Sequence, residues 1–460
     1  MPRAICFDGA ARTVTGSRHL LKFEGKQILV DCGLFQGSRD TRERNWEQFP
    51  FLPAEIDALV LTHAHTDHVG LIPRLIREGY QGPVYATPGT IAIAKVSLPD
   101  GGRIQEEDAR YHNRHRTSRH ESALPLFTES DAYVALKSLK PVHYHQVLAL
   151  PGGAVARYLP AGHILGASHV EITFPDGKIV VMWGDIGRYD RPILKDPSAM
   201  PGADILVMES TYGDKRHPTD DSLERIRDII VECEKNRSVV IVPSFAIGRT
   251  QELLWDIHLL IEQKLIPRIP IFVDSPMANE ATLLYASHTE DHDKEMKILL
   301  GKGETPLSPD LVRFVRDKNM SKALNSADGP MMIIAGSGMV NGGRVMHHLK
   351  CRLSDPTTVV MFTGYQAEGT RGRDLIEGAD SVRIFGEEVA VRAKIEVLNS
   401  LSAHADRDEM VRWLESFEKL PEKVFLVHGD YAVQQEFAVT LREKFPFDVE
   451  IPAPGDRFEF

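Results

Sequence analysis

The chain has 460 residues, with 42% hydrophobic and 26% charged residues. That length exceeds one ordinary core and fits two substantial domains of a soluble globular class. No apolar run approaches the roughly 20 residues of a membrane-spanning helix, so no membrane partner is expected. The net charge of −11, from 54 basic and 65 acidic residues, taken globally argues mildly against nucleic acid as a partner. Two stretches depart from that balance. Residues 110–120 carry four arginines, three histidines and no acid, and residues 338–354 carry Arg344, Lys350 and Arg352 with two histidines. Alone, each reads first as a solvated face and second as the wall of an anion groove.

The segment Met1–Phe7 reads as the start of a strand and lacks the apolar stretch of a secretory leader. The four cysteines, Cys6, Cys32, Cys233 and Cys351, form no Cys-x-x-Cys pair. That disfavours a thiolate zinc finger and fits a reducing, cytoplasmic setting. Apolar runs at 28–30, 58–61, 84–86, 155–159, 169–174, 179–183 and 205–208 predict a strand-rich first half. Residues 98–102 read Leu-Pro-Asp-Gly-Gly, which predicts a break in any helix there and leaves the shape of that wall open. From 222 the pattern changes to helix (222–235), strand (239–242), helix (250–264) and strand (271–273), the mark of a parallel sheet. Further strands are predicted at 331–335, 359–362, 393–398 and 424–427. The expected class is α/β. A discontinuous first domain (1–209 and 390–460) would carry a second α/β domain inserted over 210–389.

The densest chemical signal is His63-Ala64-His65-Thr66-Asp67-His68. It lies between an apolar strand and a helix, where a loop aims several side chains at one point. Imidazoles suit zinc, and a carboxylate adds charge for a second ion. Three more candidates, His163, Asp185 and His428, each follow an apolar run and lie beside glycine. The bland alternative for any one of them is a hydrogen-bonded loop residue.

The order Asp31, His63-x-His65-x-Asp67-His68, His163, Asp185 resembles the metallo-β-lactamase fold. Glu209-Ser210-Thr211-Tyr212-Gly213, Ser402-Ala403-His404-Ala405-Asp406 and Val427-His428-Gly429 resemble three further motifs of the β-CASP nucleases. That group includes ribonuclease J and the endonuclease subunit of the eukaryotic cleavage and polyadenylation machinery. The resemblance implies an αββα sandwich with an inserted β-CASP domain, two Zn2+ per chain, and hydrolysis of single-stranded RNA. The same ligand types accept manganese or iron. It assigns His63, His65, His163 and Asp185 to one ion, and Asp67, His68, Asp185 and His428 to the other. Asp31 would orient a ligand histidine. Asp67, Glu209 and His404 would be the catalytic groups, with His404 donating the leaving-group proton and Glu209 stabilising its imidazolium. Glycine-rich segments 335–339 and 362–373 suggest phosphate contacts at Ser337, Arg344 and Arg373. A DNA nuclease and a thioester or lactone hydrolase are the competing classes; His428 and the insertion favour RNA. A homodimer, other protein partners and the polarity of cutting stay open.

Overall fold

A computed structural model describes residues 3–117, 121–218, 221–364, 366–398 and 401–460. It divides into two compact units. The first comprises Met1–Arg191, Lys195–Arg216 and His404–Phe460; the second comprises Pro192–Leu194 and His217–Ala403.

The first unit is built on two seven-stranded sheets. One orders its strands Arg457–Glu459, Ala4–Phe7, His19–Phe23, Lys26–Val30, Ala58–Val60, Val84–Ala86 and Leu139–Pro141. The other runs Asp448–Glu450, Lys423–Leu426, Ile205–Met208, Ile179–Met182, Ser168–Thr173, Val155–Pro160 and Val147–Ala149. Alternation along the strands decides which side chains meet. Leu21, Ile28, Val30 and Val60 of the first sheet face Tyr158, Val170, Val180, Ile205 and Phe425 of the second. The opposite face of the second sheet, with Val181, Leu206, Val424 and Leu426, packs on Met410, Trp413, Phe437 and Leu441. Those residues lie on helices Arg407–Leu414 and Tyr431–Lys444. Helices Ile72–Arg77, Pro88–His115 and Glu129–Ala135 complete the αββα sandwich on its other side.

Strand direction decides where the loops converge. Ile179–Met182, Ile205–Met208, Lys423–Leu426 and Asp448–Glu450 are mutually parallel. In the first sheet Ala4–Phe7 is two antiparallel steps from Lys26–Val30, which runs parallel to Ala58–Val60. Each set therefore delivers its carboxyl ends to one edge, the edge where α/β sheets carry their ligands.

The second unit holds a six-stranded parallel sheet, ordered Val312–Phe314, Ile271–Asp274, Met331–Gly336, Val239–Ser244, Val359–Phe362 and Lys394–Val397. Val239–Ser244 is buried at every position, as a strand covered on both faces must be. Val240 and Val242 meet helices Ser222–Asn236 and Arg249–Glu262, while Val239 and Ile241 meet helix Val345–Arg352.

Three expectations are corrected here. The strand Lys394–Val397 pairs with Val359–Phe362, so the second unit extends to Ala403 rather than ending at 389. Residues 210–216 stay with the first unit, held by Ser210, whose hydroxyl donates to the Val427 carbonyl at 2.7 Å. The predicted break at 98–102 is also absent: helix Pro88–His115 runs unbroken through 28 residues with Pro99 inside it. Tertiary packing overrides the local penalty. Pro99 and Gly102 are buried, and a Cβ on Gly102 would stand 2.6 Å from the Glu129 amide nitrogen. Glycine is what lets the capped start of Glu129–Ala135 come this close. Gly102→Ala should therefore lower stability by about 1–3 kcal/mol. Gly101→Ala, where a Cβ first meets Phe127 at 3.7 Å, should be neutral or stabilising. Thermal melts of both variants check the pair; equal behaviour would contradict the packing argument.

Candidate metal centre

Every ligand candidate lies at a strand's carboxyl end in the first unit. His63 follows Ala58–Val60, His163 follows Val155–Pro160, Asp185 follows Ile179–Met182, and His428 follows Lys423–Leu426. His65 immediately precedes the short helix Thr66–Val69, which carries Asp67 and His68. The turn is backed by residues 31–34, where the Cys32 amide donates to the His68 carbonyl at 2.7 Å. Gly33 has no alternative there: a Cβ would stand 1.6 Å from the Asp67 carbonyl oxygen.

Three groups of side chains converge: His63, His65, His163 and Asp185; Asp67, His68 and His428; and Asp185, Glu209 and His404. Within the first, His65 Nδ1 lies 3.1 Å from both His63 Nε2 and His163 Nε2. Asp185 Oδ2 is 3.4 Å from His63 Nε2 and 3.5 Å from His163 Nε2. Its other oxygen, Oδ1, is 3.3 Å from His68 Nε2 and 3.7 Å from His428 Nδ1. Asp67 Oδ2 lies 3.3 Å from His428 Nε2. One carboxylate thus presents one oxygen to each cluster.

This donor set fits divalent ions. Two nitrogens held about 2.0–2.1 Å from a tetrahedral ion lie about 3.3–3.4 Å apart, close to the spacings found. His68 Nε2 and Asp185 Oδ1 are buried without a hydrogen-bond partner, a costly state that a cation at that point would relieve. Burial lowers the pKa of His63 and His163, and of His65 to about 3, so these imidazoles are neutral, as ligation requires. For Asp185 burial opposes ionisation, but His428, His68 and His63 hold it well below the usual carboxylate range.

Asp31 stands behind this set. Its Oδ2 is 2.7 Å from His68 Nδ1, and it accepts the Thr62 amide and hydroxyl at 2.8 Å each. A proton on Nδ1 turns His68 Nε2 toward Asp185. Asp31 adopts the left-handed backbone region (φ +57°), an added cost at a residue whose side chain is fully engaged. We expect Asp31→Ala to weaken metal binding by about 10–100-fold with all direct ligands intact. Competition with a calibrated chelator measures this, and unchanged affinity would remove Asp31 from the orienting role.

His404 adjoins the ligands without belonging to either predicted set. Its Nδ1 lies 3.1 and 3.2 Å from the two oxygens of Glu209, and its ring centroid is 4.5 Å from that of His163. Glu209 is fully buried and also accepts the Ile186 amide at 2.8 Å. Burial works against charge on His404, yet Glu209, aided by Asp185 and Asp67, raises its pKa to about 9.

The three expected phosphate contacts lie in the second unit. Ser337 sits at φ +86°, and its hydroxyl accepts the Asn341 amide at 3.2 Å. Arg344 is paired with buried Asp274 at 2.6 Å, which also meets His348 and Ser321. Arg373 is paired with Glu377 at 2.6 Å. Lys350 meets Glu387 and Arg352 donates to the Leu324 and Ala327 carbonyls, so much of the basic run 338–354 serves internal contacts. In the other run, Arg110, His112, Arg114 and His115 are exposed on the end of helix Pro88–His115, while 118–120 lie outside the described residues.

Thr62 and Thr211 are not distinguished by the sequence. Thr211 Oγ1 lies 3.2 Å from His428 Nδ1, as Thr62 steadies Asp31. The signal for Thr62 is a hydroxyl residue beside the His63 motif, and for Thr211 a hydroxyl residue within the Glu209–Gly213 motif.

Comparison with known proteins identifies the domains. Residues 20–184 match the metallo-beta-lactamase superfamily domain, 250–375 the Beta-Casp domain, and 388–452 the Zn-dependent metallo-hydrolase RNA specificity domain. A ribonuclease of Thermus thermophilus is 39% identical over 92% of each chain. An RNase J-like protein of Methanocaldococcus jannaschii is 29% identical over 98% of each. A transcription termination factor of Methanosarcina mazei is 29% identical over 96% of this chain and 69% of its own. A solved Enterococcus faecalis protein of unknown function shares the fold, with a TM-score of 0.55 and 15% identity over both full chains. No helix among the described residues is long and apolar enough to cross a membrane. The motifs, the convergent ligands and the full-length relatives lead to one placement: the chain belongs to the β-CASP ribonuclease family of the metallo-β-lactamase superfamily.

Proposed function

We propose that the chain is a two-metal ribonuclease, with zinc as its ions, that hydrolyses phosphodiester bonds of single-stranded RNA. The observation that carries this reading is Asp185, whose two oxygens face two separate ligand clusters. His63, His65 and His163 complete one; Asp67, His68 and His428 complete the other. These residues would hold the ions, which would supply Lewis acidity to lower the pKa of water and to offset charge on the phosphate. The side chains supply the rest. Glu209 fixes the His404 ring through Nδ1, leaving Nε2 to give its proton to the departing oxygen. Asp31 keeps His68 in the tautomer that presents Nε2.

RNA is favoured over DNA by the RNA specificity model, whose match at 388–452 spans His404 and His428, and by the ribonuclease relatives. Metal-reconstituted protein should cut end-labelled single-stranded RNA and leave matched DNA intact. Equal cleavage of both would overturn the RNA assignment. Substrates with 5′-monophosphate, triphosphate and hydroxyl ends, followed over time, separate internal cutting from cutting at either end.

A further inference from the structure

Loop 8–17 follows the strand Ala4–Phe7 and lies in the first unit. It is tied to the centre by main chain: the His428 amide donates to the Ala10 carbonyl at 2.7 Å, and the Gly429 amide to Thr13 at 3.2 Å. Between those anchors stands Arg12. Its guanidinium lies over the ring of Tyr431, 4.5 Å from the centroid, and donates to the Ile451 carbonyl at 3.4 Å. Both side chains are solvent-exposed, Tyr431 by 41%.

Position gives this pair its meaning. Along the second sheet, the carboxyl ends of neighbouring strands present Asp185, then Glu209, then His428. Ile451 follows the next strand outward, Asp448–Glu450. Tyr431 and Arg12 therefore continue the row of functional groups past His428 along the same rim. Tyr431 is three residues from His428, so their Cα atoms are at most about 10–11 Å apart. A single-stranded substrate crossing the centre would meet them within a few nucleotides. The chemistry suits an unpaired base: an aromatic ring and a planar guanidinium both stack on bases, with little regard to sequence. Arg12 and Ala10 are both held in the left-handed region (φ +55° and +48°), so the main chain is bent to present this side chain.

We propose that Arg12 and Tyr431 form a stacking platform for a nucleobase of the substrate strand, beside the phosphodiester that is cut. This rests on the ribonuclease reading of the metal centre. The test uses the full chain and single-stranded RNA 12-mers, intact or with one abasic nucleotide placed at successive positions. Binding is read by fluorescence anisotropy with and without metal, and cleavage by KM and kcat. Tyr431→Ala should weaken binding and raise KM by about 5- to 100-fold, with kcat at saturation little changed. Tyr431→Phe should restore wild-type behaviour. One abasic position should cost the wild type the same factor and cost Tyr431→Ala nothing further. Unchanged binding in Tyr431→Ala, or a loss that is equal for intact and all abasic strands, would overturn the platform. A change confined to thermal stability would assign the pair to holding the loop, and would overturn it as well. If the wild type binds the strands but, metal-loaded, cuts no RNA, the ribonuclease reading fails while the anisotropy series still judges the platform.

Discussion

Replacing His404 with alanine should lower turnover on RNA by about 10²- to 10⁴-fold while leaving the bound metal unchanged. The expectation follows from the two halves of the pair. Glu209 is fully buried and fixed by the Ile186 amide, so its carboxylate has one position. His404 is held to it through Nδ1 and keeps 22% of its side chain exposed. Burial would favour the neutral ring, but Glu209 raises its pKa to about 9, so a proton is available at neutral pH. Two divalent ions nearby would pull that value down, toward the range where a general acid works best. A substrate whose leaving group needs no proton, such as a p-nitrophenyl ester of a nucleotide, separates the roles. His404→Ala should lose little on it. Loss of metal in the variant, or an equal loss on both substrates, would remove His404 from the proton-donating role.

The second large effect is expected at Asp185. Asp185→Asn replaces one anionic oxygen with an amide and removes the charge shared between clusters. Oδ2 faces His63 and His163, while Oδ1 faces His68 and His428. The variant should hold fewer than two ions per chain, measured by plasma mass spectrometry on dialysed protein. Its activity should fall by more than the 10–100-fold expected for an outer partner such as Asp31. Circular dichroism should stay unchanged, because the sandwich core lies between the sheets and not at this rim. Retention of two ions with full activity would refute the bridging position.

Much of this centre is readable from the chain alone, for a physical reason. A ligand at a strand's carboxyl end leaves a local trace: an apolar run, then a histidine or aspartate, then glycine. His428 carries all of it in that order, His163 and Asp185 carry the glycine directly before the side chain, and His63 carries the first two parts. What the trace lacks is partnership across distance. Nothing near Thr62 or Thr211 shows which side chain each steadies. Arg12 and Tyr431 come from opposite ends of the sequence and meet only through sheet order. Arg344 resembles a phosphate contact because arginine beside glycines suits one, yet buried Asp274 holds it at 2.6 Å. The strand at 394–397 is legible as a strand, but a short parallel strand does not reveal which sheet it joins. Pro99 and Gly102 mislead because local breaking tendencies say nothing of the packed neighbour at Glu129, against which the helix stays continuous.

The interleaving of the units bears on the order in which the centre can be completed during synthesis. His404 and His428 are encoded after the whole second unit, and they would complete the proposed proton donor and second ligand cluster. A growing polypeptide on the ribosome carries the first cluster early but lacks both of these groups until the segment after the second unit emerges. On the proposed roles, cutting power would arrive only after the second unit has been made.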